Sequence, residues 1–265
     1  MSQINNDVIR QQVRNRYKQI ALQETSEGDS CGASSGCCNT HCEADSVSSV
    51  LGYSNEELGV VPVGANLGLG CGNPQAIASL REGEVVLDLG SGGGFDCFLA
   101  SRQVGETGQV IGVDMTPEMI SRARSNAANG SYRNTEFRLG EIERLPVADN
   151  SVNVILSNCV INLSPDKPQV FKEAYRVLKS GGRLAISDVV ATATMPEELK
   201  SDPESLSGCV SGASSVDDLE QMLRAAGFRD ISIQPKDESR HFIKDWVPGA
   251  SIDDYILSAT IQALK

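Results

Sequence analysis

Apolar positions along this chain follow two rhythms that alternate through its middle. Short, largely apolar runs over 85–90, 109–114, 136–140, 152–157 and 182–187 read as strands. Between them, 95–103, 117–128 and 168–178 carry apolar residues at helical spacing. The helix at 117 opens on Thr116-Pro117, an N-cap residue before a proline whose fixed φ suits the first helical position. This alternation predicts an α/β fold with a doubly wound, mostly parallel sheet, because each parallel crossover supplies a helix to cover the sheet.

Both ends depart from that rhythm. Val8, Ile9, Val13, Tyr17 and Ile20 share one face of a predicted N-terminal helix over 8–22, expected to pack over the main domain. Residues 27–49 are rich in Gly, Ser and Cys without a period, and read as a loop. Beyond the fifth strand, 191–215 is polar and Gly/Ser-rich. A helix over 216–226 then closes on Gly227, and strands are expected near 231–234 and over 255–263. The chain divides into an N-terminal helix with a Cys-rich segment (1–75), a core (76–190) and a C-terminal α+β extension (191–265). No internal repeat is present.

In a doubly wound sheet, ligands lie beyond the carboxyl ends of the strands, where strand order reverses. The turns after strands one, two and four carry the glycine run at 90–94, Asp114 and Asn158-Cys159, so these converge on one edge. The first turn, Asp88-x-Gly90-Ser91-Gly92-x-Gly94, lets the backbone approach a ligand that side chains would obstruct. Asp114 follows Gly94 by 20 residues and ends the next strand, where a carboxylate can accept from both hydroxyls of a ribose. Strictly alternating glycines distinguish this turn from the Gly-x-Gly-x-x-Gly of nicotinamide cofactors.

Charge and cysteine usage narrow the chemistry. A formal charge of −12 over 265 residues opposes nucleic-acid binding and suits a neutral or cationic small ligand. No apolar run approaches the roughly 20 residues of a membrane span, and the polar start lacks a secretory signal plan. A cytoplasmic protein away from membranes is expected, and nothing requires an assembly beyond a monomer. Eight cysteines in that setting imply reduced thiols doing metal, metalloid or redox work. With only His41 and His241, a His-centred catalytic site is not expected.

Cys31, Cys37, Cys38 and Cys42 cluster in the 27–49 segment, but their spacing supplies only one partial zinc pair. Zinc and a thiol cluster for metalloid or disulfide chemistry both remain open there. Cys97, inside the first core helix, reads as an inert packed residue. Cys71, Cys159 and Cys209 sit in Gly70-Cys71-Gly-Asn-Pro74, Ser157-Asn-Cys159-Val-Ile-Asn162 and Ser207-Gly-Cys209-Val-Ser-Gly212. Taken singly, each could be a small packing residue.

The glycine turn with its leading Asp88 resembles that of the class I S-adenosylmethionine-dependent methyltransferases, whose fold is Rossmann-like. The segments Gly140-Glu-Ile-Glu-Arg-Leu-Pro146 and Val154-Ile-Leu-Ser-Asn158 resemble that family's later motifs. The resemblance implies S-adenosyl-L-methionine as cofactor, held by Asp88, Gly90, Ser91, Gly92, Gly94, Asp114, Met115 and Asn158, with Glu141 and Ile142 beside adenine. The three cysteine contexts are more specific and resemble arsenite S-adenosylmethionine methyltransferases over nearly the whole chain. By that resemblance Cys71, Cys159 and Cys209 are catalytic and bind trivalent arsenic, which is methylated for detoxification.

Methylation raises arsenic to the pentavalent state, so two electrons must come from thiols. Cys71 is expected to enter the resulting disulfide, with Cys37, Cys38 or Cys42 as redox relay and thioredoxin or glutathione as the thiol reductant. Two other functions fit the same residues: a methyltransferase of a small organic acceptor, and a non-catalytic thiol protein that binds metalloids.

Overall fold

Four of the five apolar runs form largely buried strands of one sheet, whereas the one over 135–139 lies at its edge with only Phe137 buried. The structure, a computed structural model, describes residues 3–22, 39–196, 210–247 and 250–265. β1 (Val85–Leu89) pairs in parallel with β2 (Gln109–Asp114) on one side and β4 (Val152–Asn158) on the other. β3 (Thr135–Leu139) extends the sheet beyond β2, and β5 (Leu178–Ala191) extends it beyond β4. β8 (Ile256–Leu264) then lies antiparallel between β5 and β7 (Arg229–Pro235), while the short β6 (Ser214–Ser215) pairs with the end of β5. The order is β3-β2-β1-β4-β5-β8-β7, so direction reverses between β1 and β4. A ligand crevice is expected at that reversal.

Side chains alternate across each strand, and the core divides accordingly. Val86, Val110, Val154 and Leu156 face α5 (Phe95–Val104) and α6 (Pro117–Asn129), burying Phe98, Ala100, Ile120 and Ala123. Leu87, Ile155, Leu184 and Ile186 face α7 (Lys167–Val177) and the helix Val216–Ala226, here α8, burying Phe171, Leu219 and Leu223. The side chain of Asp166 accepts the Gln169 N–H at 3.2 Å and caps α7, an arrangement that stabilises a helix by about 1 kcal/mol. Gly227 ends α8 at φ 106°, as its place in the sequence predicts.

A third cluster sits over the carboxyl edge. It gathers Val13 of α1 (Gln3–Leu22), Cys71, Leu163, Val189, Val210, Ile243, Ile252 and Ile256. Residues from both ends of the chain therefore close over the crevice that the parallel strands open.

The structure corrects two sequence readings. Within 27–49, expected to be a loop, α2 (Asn39–Val50) is helical; residues 23–38 lie outside the description. Its weak period is overridden by tertiary contact: Ser48 is buried, its Oγ 3.0 Å from Asn66 Oδ1, and Leu51 packs with Tyr53 and Leu99 just beyond. The fifth strand was expected over 182–187 but runs Leu178–Ala191, because the antiparallel ladder with β8 continues to the pair Ala191–Ile256. Two short helices, α3 (Asn55–Val60) and α4 (Gln75–Ala78), also precede the core. Among the described residues, no helix is long and apolar enough to cross a membrane.

Candidate active site

The turn from β1 into α5 follows from its glycines. Gly90 takes φ 71°, and a Cβ there would meet the Val160 side chain, with Cγ1 at 2.7 Å. The Gly90 and Ser91 N–H groups both donate to Val113 O, at 2.7 and 3.0 Å, tying the turn to the end of β2. Gly94 lies deeper: at φ 94° it begins α5 against Phe98 and Phe137, so it serves packing and does not line the cavity. The cavity above this turn encloses about 1060 Å³ of space, part of it open to solvent.

Its walls contain Asp88, Gly90, Ser91, Gly92, Asp114, Met115, Ile142, Asn158 and Cys159, all expected there from the sequence. Glu141 is not among the lining residues; it turns toward α1, where Arg10 lies 3.6 Å and Arg14 3.4 Å from its carboxylate. Ser91 Oγ is buried with no hydrogen-bond partner among the described residues.

Two buried acids, Asp88 and Asp96, and the half-buried Asp114 give the pocket its electrostatic character. Asp114 accepts the Gly92 N–H at 3.0 Å and the Thr116 N–H at 2.8 Å; burial nevertheless raises its carboxyl above the ordinary value. Burial, then neighbouring Asp96, pushes Asp88 well above the usual carboxylate range, although Cys97 Sγ donates to it at 3.2 Å. Burial likewise raises Asp96 to about 6. Such an arrangement disfavours adding anions and is relieved by a cationic ligand. Cys97 is the buried, packed residue the sequence suggested, and burial and then Asp88 push its thiol up, away from reactivity.

α1 roofs the pocket with Arg10, Val13 and Tyr17. It is pinned through Arg10 to buried Glu143 at 3.2 Å and through Lys18 to Glu118 at 3.0 Å. The sequence led to an expectation that this helix packs over the main domain; it does so and also supplies part of the pocket wall.

The thiols meet at the same edge. Cys71 and Cys159, 88 residues apart, are joined as a disulfide, with Cα atoms separated by 5.9 Å. Cys71 is buried, whereas Cys159 is half-buried in the pocket wall at φ 57°. Sequence reasoning expected Cys71 to enter a disulfide, with Cys37, Cys38 or Cys42 as relay; in the structure Cys71 is paired with Cys159. Cys31, Cys37, Cys38 and Cys209 lie outside the described residues, as does the side chain of Cys42, whose backbone is in the first turn of α2.

A group that sequence reasoning missed stands beside them. One ligand atom each from Cys71, Cys159 and Asp188 lies within 4.8 Å of the others. Asp188 is committed to the backbone: Oδ2 accepts from Ile161 N–H at 2.9 Å, and Oδ1 from Val189 N–H at 2.8 Å and Asn162 Nδ2 at 2.9 Å. Burial raises its carboxyl to about 6 against those donors. Its role here is to hold the turn that follows Cys159. An acid inside the apolar run Ala-Ile-Ser-Asp188-Val-Val was the available signal.

Known proteins share these features. A family model described as a methyltransferase domain matches residues 80–227. A Halobacterium salinarum protein named arsenite methyltransferase is 57% identical over 97% of this chain and 66% of its own length. One of the same name from Aquipseudomonas alcaligenes is 45% identical over 61% of this chain and 48% of its own. The chain thus spans from about half to just under two thirds of these relatives. The crystal structure of an arsenic(III) S-adenosylmethionine methyltransferase from Chlamydomonas reinhardtii superposes with a TM-score of 0.62 at 35% identity, covering 83% of this chain and 73% of that one. Strand order, glycine turn and these likenesses agree: the chain belongs to the methyltransferase-domain family and, within it, groups with the arsenite methyltransferases.

Proposed function

We propose that the chain moves methyl groups from S-adenosylmethionine to trivalent arsenic held by its cysteine sulfurs. The observation that carries this reading is the meeting of Cys71 and Cys159 at the wall of a glycine-cradled pocket. The residues suit the cofactor: the turn leaves room for it, Ser91 Oγ is a buried polar atom without a protein partner, and three raised carboxyls favour a ligand bearing positive charge. Asp114 and Met115 would hold the ribose side and Ile142 the adenine, while Asp88, Gly90, Ser91 and Gly92 accept the methionine portion. Bound there, the cofactor supplies an electrophilic methyl group on a sulfonium.

The chain's own part is to bind and orient the metalloid. Soft trivalent arsenic prefers thiolates. Arsenite exchanges three hydroxyls for three sulfurs, and the thiol protons leave with them as three waters. Cys71, Cys159 and Cys209 are the proposed ligands. The arsenic lone pair is the nucleophile, so no general base is required, in keeping with a chain that holds eight cysteines and only two histidines. Alignment and exclusion of water by α1 supply the acceleration, an effect that can lower a barrier by several kcal/mol. Methylated arsenic then needs two electrons, which two thiolates provide as they become a disulfide. Thioredoxin or glutathione restores the thiols, with Cys37, Cys38 and Cys42 as the relay.

Product speciation with arsenite, S-adenosylmethionine and each thiol tests the proposal. Methylated arsenicals that accumulate only with both substrates are expected. Cofactor-bound protein that transfers no label to arsenite would contradict it. Cys71→Ser is expected to lose the first methylation and retain the second, since methylarsenite needs only two sulfurs.

A further inference from the structure

Asn158 immediately precedes Cys159 in sequence, yet its side chain serves Cys71. Its Oδ1 accepts the Cys71 N–H at 3.1 Å, and its Nδ2 donates to Gly72 O at 2.8 Å. The carboxamide therefore clasps the backbone on both sides of the Cys71 side chain. Only one orientation of the amide works, because the flipped form would set donor against donor and acceptor against acceptor. The second Nδ2 proton goes to Tyr53 Oη at 3.1 Å, and Tyr53 in turn donates to Asp96 Oδ1 at 2.8 Å. Tyr53 is only 3% exposed and its ring packs edge-on against Phe95 at 4.8 Å.

The neighbouring backbone is shaped to this amide. A Cβ on Gly70 would lie 3.0 Å from both Oδ1 and Nδ2 of Asn158, and one on Gly72 would lie 3.0 Å from Ser187 Oγ. Cys71 O accepts from Ser258 Oγ at 2.5 Å, and the Cys159 N–H donates to Ser187 O at 2.8 Å. Both cysteine backbones are thus anchored to β5 or β8, but Asn158 is the group that joins one directly to the other.

We propose that Asn158, oriented by Tyr53 and Asp96, is a positioning residue that fixes the Cys71–Cys159 spacing before any metalloid arrives. Its partners distinguish this role from that of a cofactor contact: both amide protons and the amide oxygen are already directed at protein groups. The proposal rests on the reading that these two sulfurs bind arsenic, but its geometric content does not require arsenic.

The test uses the full chain with Cys31, Cys37, Cys38, Cys42 and Cys209 changed to Ser, leaving Cys71, Cys159 and buried Cys97. Asn158→Ala, Asn158→Asp and Tyr53→Phe are compared on three readouts: equilibrium of the Cys71–Cys159 disulfide with dithiothreitol, release of phenylarsine oxide, and affinity for S-adenosylmethionine. Asn158→Ala loses two backbone hydrogen bonds and should weaken the disulfide and speed arsenical release about tenfold. Asn158→Asp keeps the acceptor for Cys71 N–H and should fall between it and the parent. Tyr53→Phe, which keeps the ring and remains informative if the Asn158 variants do not fold, should change both about threefold. Tyr53 does not line the cofactor pocket, so cofactor affinity in Tyr53→Phe should stay within about twofold. Cofactor affinity falling while both thiol readouts hold would overturn the proposal, as would thiol readouts unchanged in every folded variant. If the parent takes up no phenylarsine oxide, the arsenic reading fails instead, and the dithiothreitol equilibrium still decides the role of Asn158.

Discussion

The parallel half of the sheet and its antiparallel edge build the two parts of the site by different means. The donor side, between β1, β2 and β4, is made by backbone: glycines in one turn, and a carboxylate at the end of the neighbouring strand that accepts the Gly92 N–H of that turn. The thiol side is made by long-range side-chain contacts, joining Cys71 to Asn158 and Ser258 across separations of up to 187 residues. A turn is specified locally and tolerates a varied partner half. A thiol site assembled this way depends on every element that reaches it, which suits it to carry acceptor specificity while the donor side stays common to a family.

Mutations should separate the halves. Cys159→Ser should reduce arsenite methylation by at least about 100-fold while leaving cofactor affinity nearly unchanged, read by labelled methyl transfer and by calorimetry. Loss of both would show that the halves are coupled through the Val160 contact with Gly90. Asp114→Ala should do the converse. Cofactor affinity should fall about tenfold or more, because the carboxylate also organises the Gly92 N–H, while uptake of phenylarsine oxide persists.

Arg10→Ala, which unpins α1 from Glu141 and Glu143, should raise the KM for cofactor roughly threefold at low salt, and less in high salt. A salt-independent effect would point to lost packing of the Arg10 stem instead.

The smallest effect concerns pH. Asp96 is raised to about 6, chiefly by burial, whereas an unfolded aspartate titrates at about 3.9. The folded state holds this proton more tightly, so the contribution is fully present below about pH 4 and is lost as pH rises through about 6. In cofactor-free protein, the melting temperature of wild type relative to Asp96→Asn should therefore fall by roughly 2–6 °C across that interval. A flat difference would show that Asp96 is not the titrating group.

What could be read beforehand follows the same division. The parallel strands, their helices, the cavity residues and the cap at Gly227 were legible because periodicity and turn chemistry are local signals. Strand β5 was legible only in part, since its final turns depend on β8. Helix α2 was missed because its sequence is polar and its burial is confined to the Ser48 side. The cysteines could be named as a set, but their mutual support could not. Tyr53 stands in a polar stretch with no motif around it, and Asn158 reads as a post-strand residue facing a ligand. Their common task appears only when Gly72 and Cys71 are brought beside them in space.

The hydrogen bond from Ser258 to the Cys71 carbonyl also bears on how the protein is made. Strand β8 follows every other strand of the sheet in sequence, and it lies between two that precede it. A nascent chain can shape its donor crevice early, yet its sulfur pocket stays unfinished until β8 has been made and has docked. Completion of the thiol pocket is therefore tied to the docking of β8, whereas the donor crevice needs only the parallel half of the sheet.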